Sequence, residues 1–226
     1  MSFMVEQKWD AQAYAKTARF VSDLGIGAVE LLAPKPGETI IDLGCGDGAL
    51  TKKLVEAGAT VIGIDADEDM VAAAKENGID ARVADAHDFE LPEIVDAVFS
   101  NAALHWLTEP SAALKQVYAH LKPGGRFVGE LGGHGNIASV VTALRAVAMQ
   151  WGLGKECLPN WFFPSSDHFH DLLEEAGFVV PEMTIFPRIT YVPAGMEAWL
   201  QLMTAKTLGK LPVNEREQFC ADVAKL

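Results

Sequence analysis

The sequence predicts an α/β protein built on a doubly wound, mostly parallel sheet. Three observations carry that reading. Short apolar segments alternate with segments of helical periodicity from residue 39 to residue 151. A glycine-rich turn, Gly44-Cys45-Gly46-Asp47-Gly48, joins the first apolar segment to a helical pattern. Acidic or amide residues recur at or just past the ends of later apolar segments, at Asp65, Asp85 and Asn101. In such sheets ligands bind outside the carboxyl ends of the strands, near the point where strand order reverses.

In chain order, residues 10–32 read as one or two helices. Ala11, Tyr14, Ala18 and Val21 form an apolar stripe, and Val29, Leu31 and Leu32 follow a break at Gly25 and Gly27. Pro34-Lys35-Pro36-Gly37 is a stop and turn. Strands are expected over 39–43, 60–64, 81–84, 95–100 and 126–131, the last entered through Lys122-Pro123-Gly124-Gly125. Helices are expected over 49–57, over 67–76 with Asp67 as N-cap, over 110–120 with Pro110 in the first turn, and over 137–151 capped by Asn136. Beyond that, 152–166 is a loop holding Trp161, Phe162 and Phe163, and 167–176 is a helix ended by Gly177. Residues 178–192 look extended, with Pro181 and Pro187 marking an edge or interrupted strand, and 195–208 and 214–226 read as helices.

Length and composition bound the function. With 226 residues, half of them hydrophobic, the chain can bury the core of one α/β domain, and 1–226 is expected to be that single domain. Eighteen Lys and Arg stand against 31 Asp and Glu, a net charge of −13. A field of that sign repels phosphate backbones and anionic membrane surfaces, so neither nucleic acid nor membrane is expected as a partner. Cys45, Cys157 and Cys220 lack metal-ligand spacing and suggest a reducing compartment, with no metal and no disulfide framework. The opening MSFMVEQKWD has no signal-peptide apolar core, and no apolar run reaches the length of a membrane span. A cytoplasmic location is expected.

The run Ile40-Ile41-Asp42-Leu43-Gly44-Cys45-Gly46-Asp47-Gly48 suits two ligand classes. Gly44-x-Gly46-x-x-Ala49 satisfies a loose dinucleotide fingerprint, and Asp65, 21 residues after Gly44, can accept from ribose hydroxyls in either case. Asp42 separates the readings, because a dinucleotide-binding strand normally places an apolar side chain there. Asp47 separates them again, because a carboxylate within the loop repels a pyrophosphate. S-adenosylmethionine has no phosphate and carries an ammonium and a sulfonium.

At this point the sequence resembles the class I S-adenosylmethionine-dependent methyltransferases, over roughly residues 10–190. IIDLGCGDGAL is similar to their first motif, VIGIDADEDMVAAAK to the acidic-loop motif, and ADAHDF to the adenine-contacting segment. DAVFSNAALHWL is similar to the fourth-strand motif and LKPGGRFV to the turn into the fifth strand. FSNAALHWL and ELGGHGN most resemble the small-molecule branch that includes the trans-aconitate methyltransferases, and the fourth-strand motif also resembles the malonyl-carrier-protein methyltransferases.

The resemblance implies a Rossmann-like fold with S-adenosylmethionine as cofactor. Residues 1–33 would be a helical lid, 34–151 the cofactor-binding core and 152–226 an acceptor-side elaboration. Gly44, Cys45 and Gly46 would line the methionine portion, with Asp42 orienting that end directly or through water. Asp65 would hold the ribose diol with Ala66 beside the adenine. Asp85 would accept from the adenine amino group, Ala86 would supply a backbone N–H, and the main-chain carbonyl of Asn101 would approach the methionine ammonium. Plainer readings stay open. Asp65 is also a cap candidate, Asp85 a turn residue whose role Asp88 could take, Asp42 a loop-ordering carboxylate, and Cys45 a small packing residue.

Methyl transfer from a sulfonium is an in-line displacement in which the protein mainly aligns the reactants. A neutral hydroxyl acceptor would gain from a general base, and His105 and His134 are the candidates, with cofactor-wall or hydrogen-bonding roles as alternatives. Trp9 and Tyr14 are candidate lid residues and Trp161-Phe162-Phe163 a candidate apolar acceptor wall, each with ordinary core packing as its rival. Arg145, Lys155 and Arg188 could meet a carboxylate, though nothing in the sequence converges them.

The expected activity is therefore methyl transfer to a small molecule, at a carboxylate or hydroxyl oxygen. An NAD(P)-dependent oxidoreductase and a non-catalytic cofactor-binding module are the alternatives. One departure from the family pattern stands out. Six strands can be found, and 193–226 reads as helical where the family's final strand would fall. The seventh strand is expected to be missing, which would leave an edge beside the fifth strand open to dimerisation.

Overall fold

The computed structural model describes residues 9–92 and 94–226. Five strands form one sheet: β1 (Thr39–Leu43), β2 (Thr60–Asp65), β3 (Asp80–Val83), β4 (Val95–Asn101) and β5 (Leu121–Glu130). Their order is β3-β2-β1-β4-β5, and every pairing is parallel. From β1 the chain moves outward to β2 and β3, then crosses back to place β4 on the other side of β1. The reversal point thus lies between the carboxyl ends of β1 and β4.

The strands are apolar because both faces of the sheet are covered. Ile40 turns toward one face, where it clusters with Ala28, Leu32, Leu54 and Phe99. Ile41 and Leu43 turn to the other, with Leu114, Val117, Phe169 and Leu173. The first cluster is closed by α3 (Ile26–Leu32) and α4 (Thr51–Glu56), the second by α6 (Pro110–Ala119) and α8 (Ser166–Ala176). Helix α5 (Glu68–Glu76) packs beside β2 and β3, and its N-cap is Asp67, which accepts from the amides of Asp69 and Met70.

The amino-terminal segment forms three short helices rather than one or two: α1 (Ala11–Thr17), α2 (Arg19–Leu24) and α3. The breaks let the chain wrap over the carboxyl edge of the sheet. The Trp9 amide is tied to Asp67 at the end of β2, and α3 reaches β4 and β5. Arg126 of β5 anchors the far end, donating to both Glu38 carboxylate oxygens at 2.8 and 2.7 Å and to the Leu32 carbonyl at 2.8 Å.

Three further expectations need correction. Lys122–Gly125 lies inside β5 as an irregularity, because Val95 pairs with Leu121 whereas Ala97 already pairs with Arg126. Asn136 does not cap α7 (Ala138–Gln150); the N-cap is Ile137, in a left-handed conformation and without a side-chain cap bond. Residues 178–192 contain no strand, so the sheet has five among the described residues and not six. Arg188, between Pro187 and Ile189, reaches Glu130 at the end of β5 through its side chain, at 2.6 and 2.7 Å, in place of a backbone ladder.

After residue 192 the described chain holds α9 (Met196–Met203), α10 (Ala205–Leu208) and α11 (Arg216–Ala224) and no strand. Helices α7, α9 and α11 share a separate apolar cluster that includes Leu144, Val147, Leu200 and Phe219. Ala18, fully buried, packs on Leu202 and Met203, so the amino-terminal helices and α9 meet above the sheet edge. Among the described residues no helix is long and apolar enough to cross a membrane.

Candidate active site at the carboxyl ends of the strands

Leaving β1, the amides of Gly44 and Cys45 both donate to the Ile64 carbonyl, at 2.7 and 3.0 Å, which bends the chain toward β2. Gly44 has φ +77°, and a Cβ there would overlap the Ala103 methyl group. Gly46, at φ +55°, faces open space instead. The turn is locked by Asp65: its Oδ2 accepts the Gly46 amide at 2.9 Å and its Oδ1 the Asp67 amide at 3.0 Å. Burial nevertheless pushes the Asp65 carboxyl up, with those backbone bonds opposing.

Asp42 shares the Ile40 side of β1 and points to α4, where Thr51 Oγ1 donates to it at 2.6 Å. It is buried, and burial pushes its carboxyl up to about 7. Tyr14 reaches in from α1. Burial, together with the charges of Asp47 and Asp65, pushes its phenol up, so it remains a protonated donor. Cys45 is buried against Val71, Ala74 and Ile79, and burial holds its thiol protonated, which makes it packing and not a nucleophile.

Two adjoining cavities open here. A small one of about 40 Å³ is walled by Asp42, Asp47, Cys45 and the glycine turn. A large one of about 450 Å³ runs from Asp65 and Gly46 toward α9. Tyr14, Val21, Gly44, Gly46 and Asn101 border both. Asn101 closes β4, and its Oδ1 is buried with no hydrogen-bond partner, while Nδ2 lies 3.5 Å from the Val21 carbonyl. Ala102, next in the chain, takes a left-handed φ of 54° and donates its amide to the Glu130 main-chain carbonyl. An unpaired buried carbonyl oxygen beside a strained residue is the kind of feature a ligand-binding site stores.

The far wall of the large cavity is aromatic. Trp106 lies edge-on to Trp9 at 5.0 Å and to Trp161 at 5.9 Å, and Trp161 stacks on Phe163 at 5.8 Å. Phe162 instead packs toward the core beside Phe169. His105 Nδ1 accepts the Gly132 amide at 3.2 Å, and burial pushes the imidazole down to about 4. The ring is therefore neutral with its proton on Nε2, an assignment that follows from the hydrogen bond.

The structure thus brings Asp42, Gly44, Cys45, Gly46, Asp65, Asn101 and His105 to the two cavities. Asp85, Ala86, Ala66 and His134 line neither. Asp85 Oδ1 accepts from the backbone amide of His87 and pairs with its ring, whose Nε2 accepts the Glu109 amide, so the carboxylate is engaged in the turn that follows the short edge strand β3. Ala66 is exposed beyond Asp65. His134 sits exposed on a tight turn, its amide bonded to the Pro164 carbonyl at 2.7 Å. Arg145 and Lys155 are exposed and line neither cavity, whereas Arg188 does line the large one. Sequence reasoning missed Thr51, Met196, Trp199 and Met203. Thr190 and Val192 were missed as well; they face the cavity at every second position after Arg188, which the sequence had offered, so the extended alternation was the available signal.

Comparison with known proteins identifies the family. Residues 41–129 match the family model described as a methyltransferase domain. An uncharacterized methyltransferase of Schizosaccharomyces pombe is 38% identical over 209 residues, covering 87% of this chain and 80% of that protein. The trans-aconitate 2-methyltransferase of Mycobacterium tuberculosis is 34% identical over 217 residues, covering 92% and 80%. Among solved structures, phosphoethanolamine N-methyltransferase 2 of Haemonchus contortus, in complex with S-adenosylhomocysteine, superposes with a TM-score of 0.64 at 20% identity, over 90% of this chain and 48% of that one. The chain belongs to the class I S-adenosylmethionine-dependent methyltransferases. Membership of that family makes S-adenosylmethionine its cofactor, and the rival reading as a dinucleotide-dependent oxidoreductase falls.

Proposed function

We propose that the chain transfers the methyl group of S-adenosylmethionine to an oxygen of a small-molecule acceptor, a carboxylate or a hydroxyl. In this reading residues 34–151 hold the cofactor, 9–33 roof it, residues 1–8 of the expected lid lying outside the described residues, and 152–226 supply the acceptor side. The observation that carries it is Asn101, which borders both cavities and whose side-chain Oδ1 is buried beside Gly25 with no hydrogen-bond partner. A buried carbonyl oxygen without a donor is costly unless a ligand supplies one, and the methionine ammonium is such a donor. Asp42, in the wall of the small cavity, offers a carboxyl oxygen to the same ammonium, whose positive charge would favour the ionised form. Asp65, already holding Gly46, has lone pairs left for the ribose hydroxyls.

When bound, the cofactor supplies an electrophilic methyl group on a positively charged sulfur. The chain's own work is positioning and water exclusion: Tyr14 and Trp9 cover the cofactor side, and the tryptophan wall confines the acceptor. The 34% identity with a trans-aconitate 2-methyltransferase favours an oxygen acceptor over nitrogen. Calorimetry with S-adenosylhomocysteine tests the assignment. Asn101→Leu should weaken binding about tenfold or more, the loss of a charge-assisted hydrogen bond. Unchanged affinity removes Asn101 from the site.

A further inference from the structure

We infer that the acceptor is an apolar molecule bearing a single carboxylate, seated in the tryptophan-lined end of the large cavity and oriented by His105. This deepens the oxygen-methyltransferase reading and rests on it. The wall beyond the glycine turn is built from Trp106, Trp161, Phe163, Trp199, Met196 and Val192, which favour an apolar body over a hydrated one.

The polar groups on that wall select the reacting function. His105 Nδ1 is occupied by the Gly132 amide, so Nε2 carries the proton and donates. A donor of that kind fits one oxygen of a carboxylate and leaves the other to react. The same ring cannot take a proton from a hydroxyl through Nε2. His134, the other base candidate, lies outside the cavity. A carboxylate needs no deprotonation at neutral pH: its lone pair forms the C–O bond to the methyl carbon as the C–S bond breaks, and the electron pair passes to sulfur.

Charge on the wall limits the acceptor to one carboxylate. Among the described lining residues of the large cavity Arg188 is the one Lys or Arg, and Glu130 holds it in a two-point ion pair at 2.6 and 2.7 Å. Asp65, on the same cavity, adds a negative charge. The first carboxylate is met by the neutral His105 N–H and not by a counter-charge, and each further one would add like charge to a wall whose described residues offer no free cation, a cost that grows in a partly dry site. This separates the chain from an enzyme acting on a tricarboxylate such as trans-aconitate.

The test offers the full chain 3-phenylpropionate, octanoate, the matching alcohols and trans-aconitate. Methyl ester or ether is read by mass spectrometry, and acid binding by quenching of tryptophan fluorescence with S-adenosylhomocysteine present. The expected result is quenching by the monocarboxylates and ester formation with kcat/KM at least about tenfold above trans-aconitate, with no ether from the alcohols. His105→Phe should lower kcat/KM for the acids about tenfold while S-adenosylhomocysteine affinity holds within about twofold, and His105→Gln, which keeps a donor, should recover part of the loss. Glu130→Gln, which releases Arg188, should shift preference toward trans-aconitate. Preference of the unsubstituted chain for trans-aconitate, methylation of the alcohols, or cofactor binding with no ester from either acid overturns the acceptor class and leaves oxygen methylation standing. Absent S-adenosylhomocysteine binding overturns both.

Discussion

Asp65 Oδ2 accepts the Gly46 amide at 2.9 Å, joining the tip of β2 to the turn that leaves β1. One carboxylate thereby orders the cofactor-side turn and stands at the edge of the large cavity. Asp65→Ala should weaken S-adenosylhomocysteine binding by about 1–3 kcal/mol, through lost charge-assisted hydrogen bonds and a loosened turn. Calorimetry measures the affinity. Equal affinity in the variant would show that Asp65 serves the turn alone.

The two glycines of that turn differ in what surrounds them. Gly44→Ala forces a methyl group into Ala103, whereas Gly46→Ala meets open space and carries only the strain of its positive φ. Gly44→Ala is expected to cost more than about 2 kcal/mol of folding stability, and Gly46→Ala about 1 kcal/mol. Urea denaturation ranks them. Equal losses would mean that the Gly44–Ala103 approach is not what fixes the turn.

Asp42 and His105 give stability opposite pH dependences. The Asp42 carboxyl rises from 3.8 to about 7 on folding, so the folded chain keeps a proton that the unfolded chain releases. Its contribution is complete below the lower value and is lost as pH climbs through the higher one. His105 falls from 6.5 to about 4, so its contribution is complete above 6.5 and is lost as pH drops toward 4. Asp42→Asn should therefore lose less stability than the unsubstituted chain between about pH 5 and about pH 7.5, and His105→Gln less between about pH 6.5 and about pH 4.5. Denaturation midpoints across pH provide the check, and parallel curves would refute both assignments.

Arg126 ties the loop before β1 to β5 through Glu38 and the Leu32 carbonyl. Arg126→Ala should destabilise the chain by about 1–3 kcal/mol. Arg126→Lys should recover little, because an ammonium cannot match two carboxylate oxygens and a carbonyl with a fixed fork. Thermal denaturation distinguishes the cases, and full recovery by lysine would show that charge alone suffices.

Much of the cofactor side was legible in the sequence because it is local. Strand, turn and acidic tip lie within a few residues of one another, and parallel pairing carries Asp42, Asp65 and Asn101 to the same edge. The acceptor side was less legible because it is assembled across the chain. Trp199 and Met203 reach the cavity only because α9 packs on Ala18, and no periodicity reports which distant helices meet. Residues 178–192 have the alternation of a strand, but a ladder needs a partner, and here a side-chain ion pair from Arg188 to Glu130 holds the segment. Asp85 and His134 carry suitable chemistry at suitable spacing; neighbouring bonds turn Asp85 back into its own loop, and His134 sits on an exposed turn.

A crystal structure of the chain with S-adenosylhomocysteine tests most directly whether the strand tips converge on one adenosyl thioether. The account predicts Asp65 Oδ atoms within hydrogen-bonding distance of the ribose hydroxyls and Asn101 Oδ1 facing the methionine ammonium. A ligand seated away from both residues, with Asn101 Oδ1 still unpaired, would contradict it.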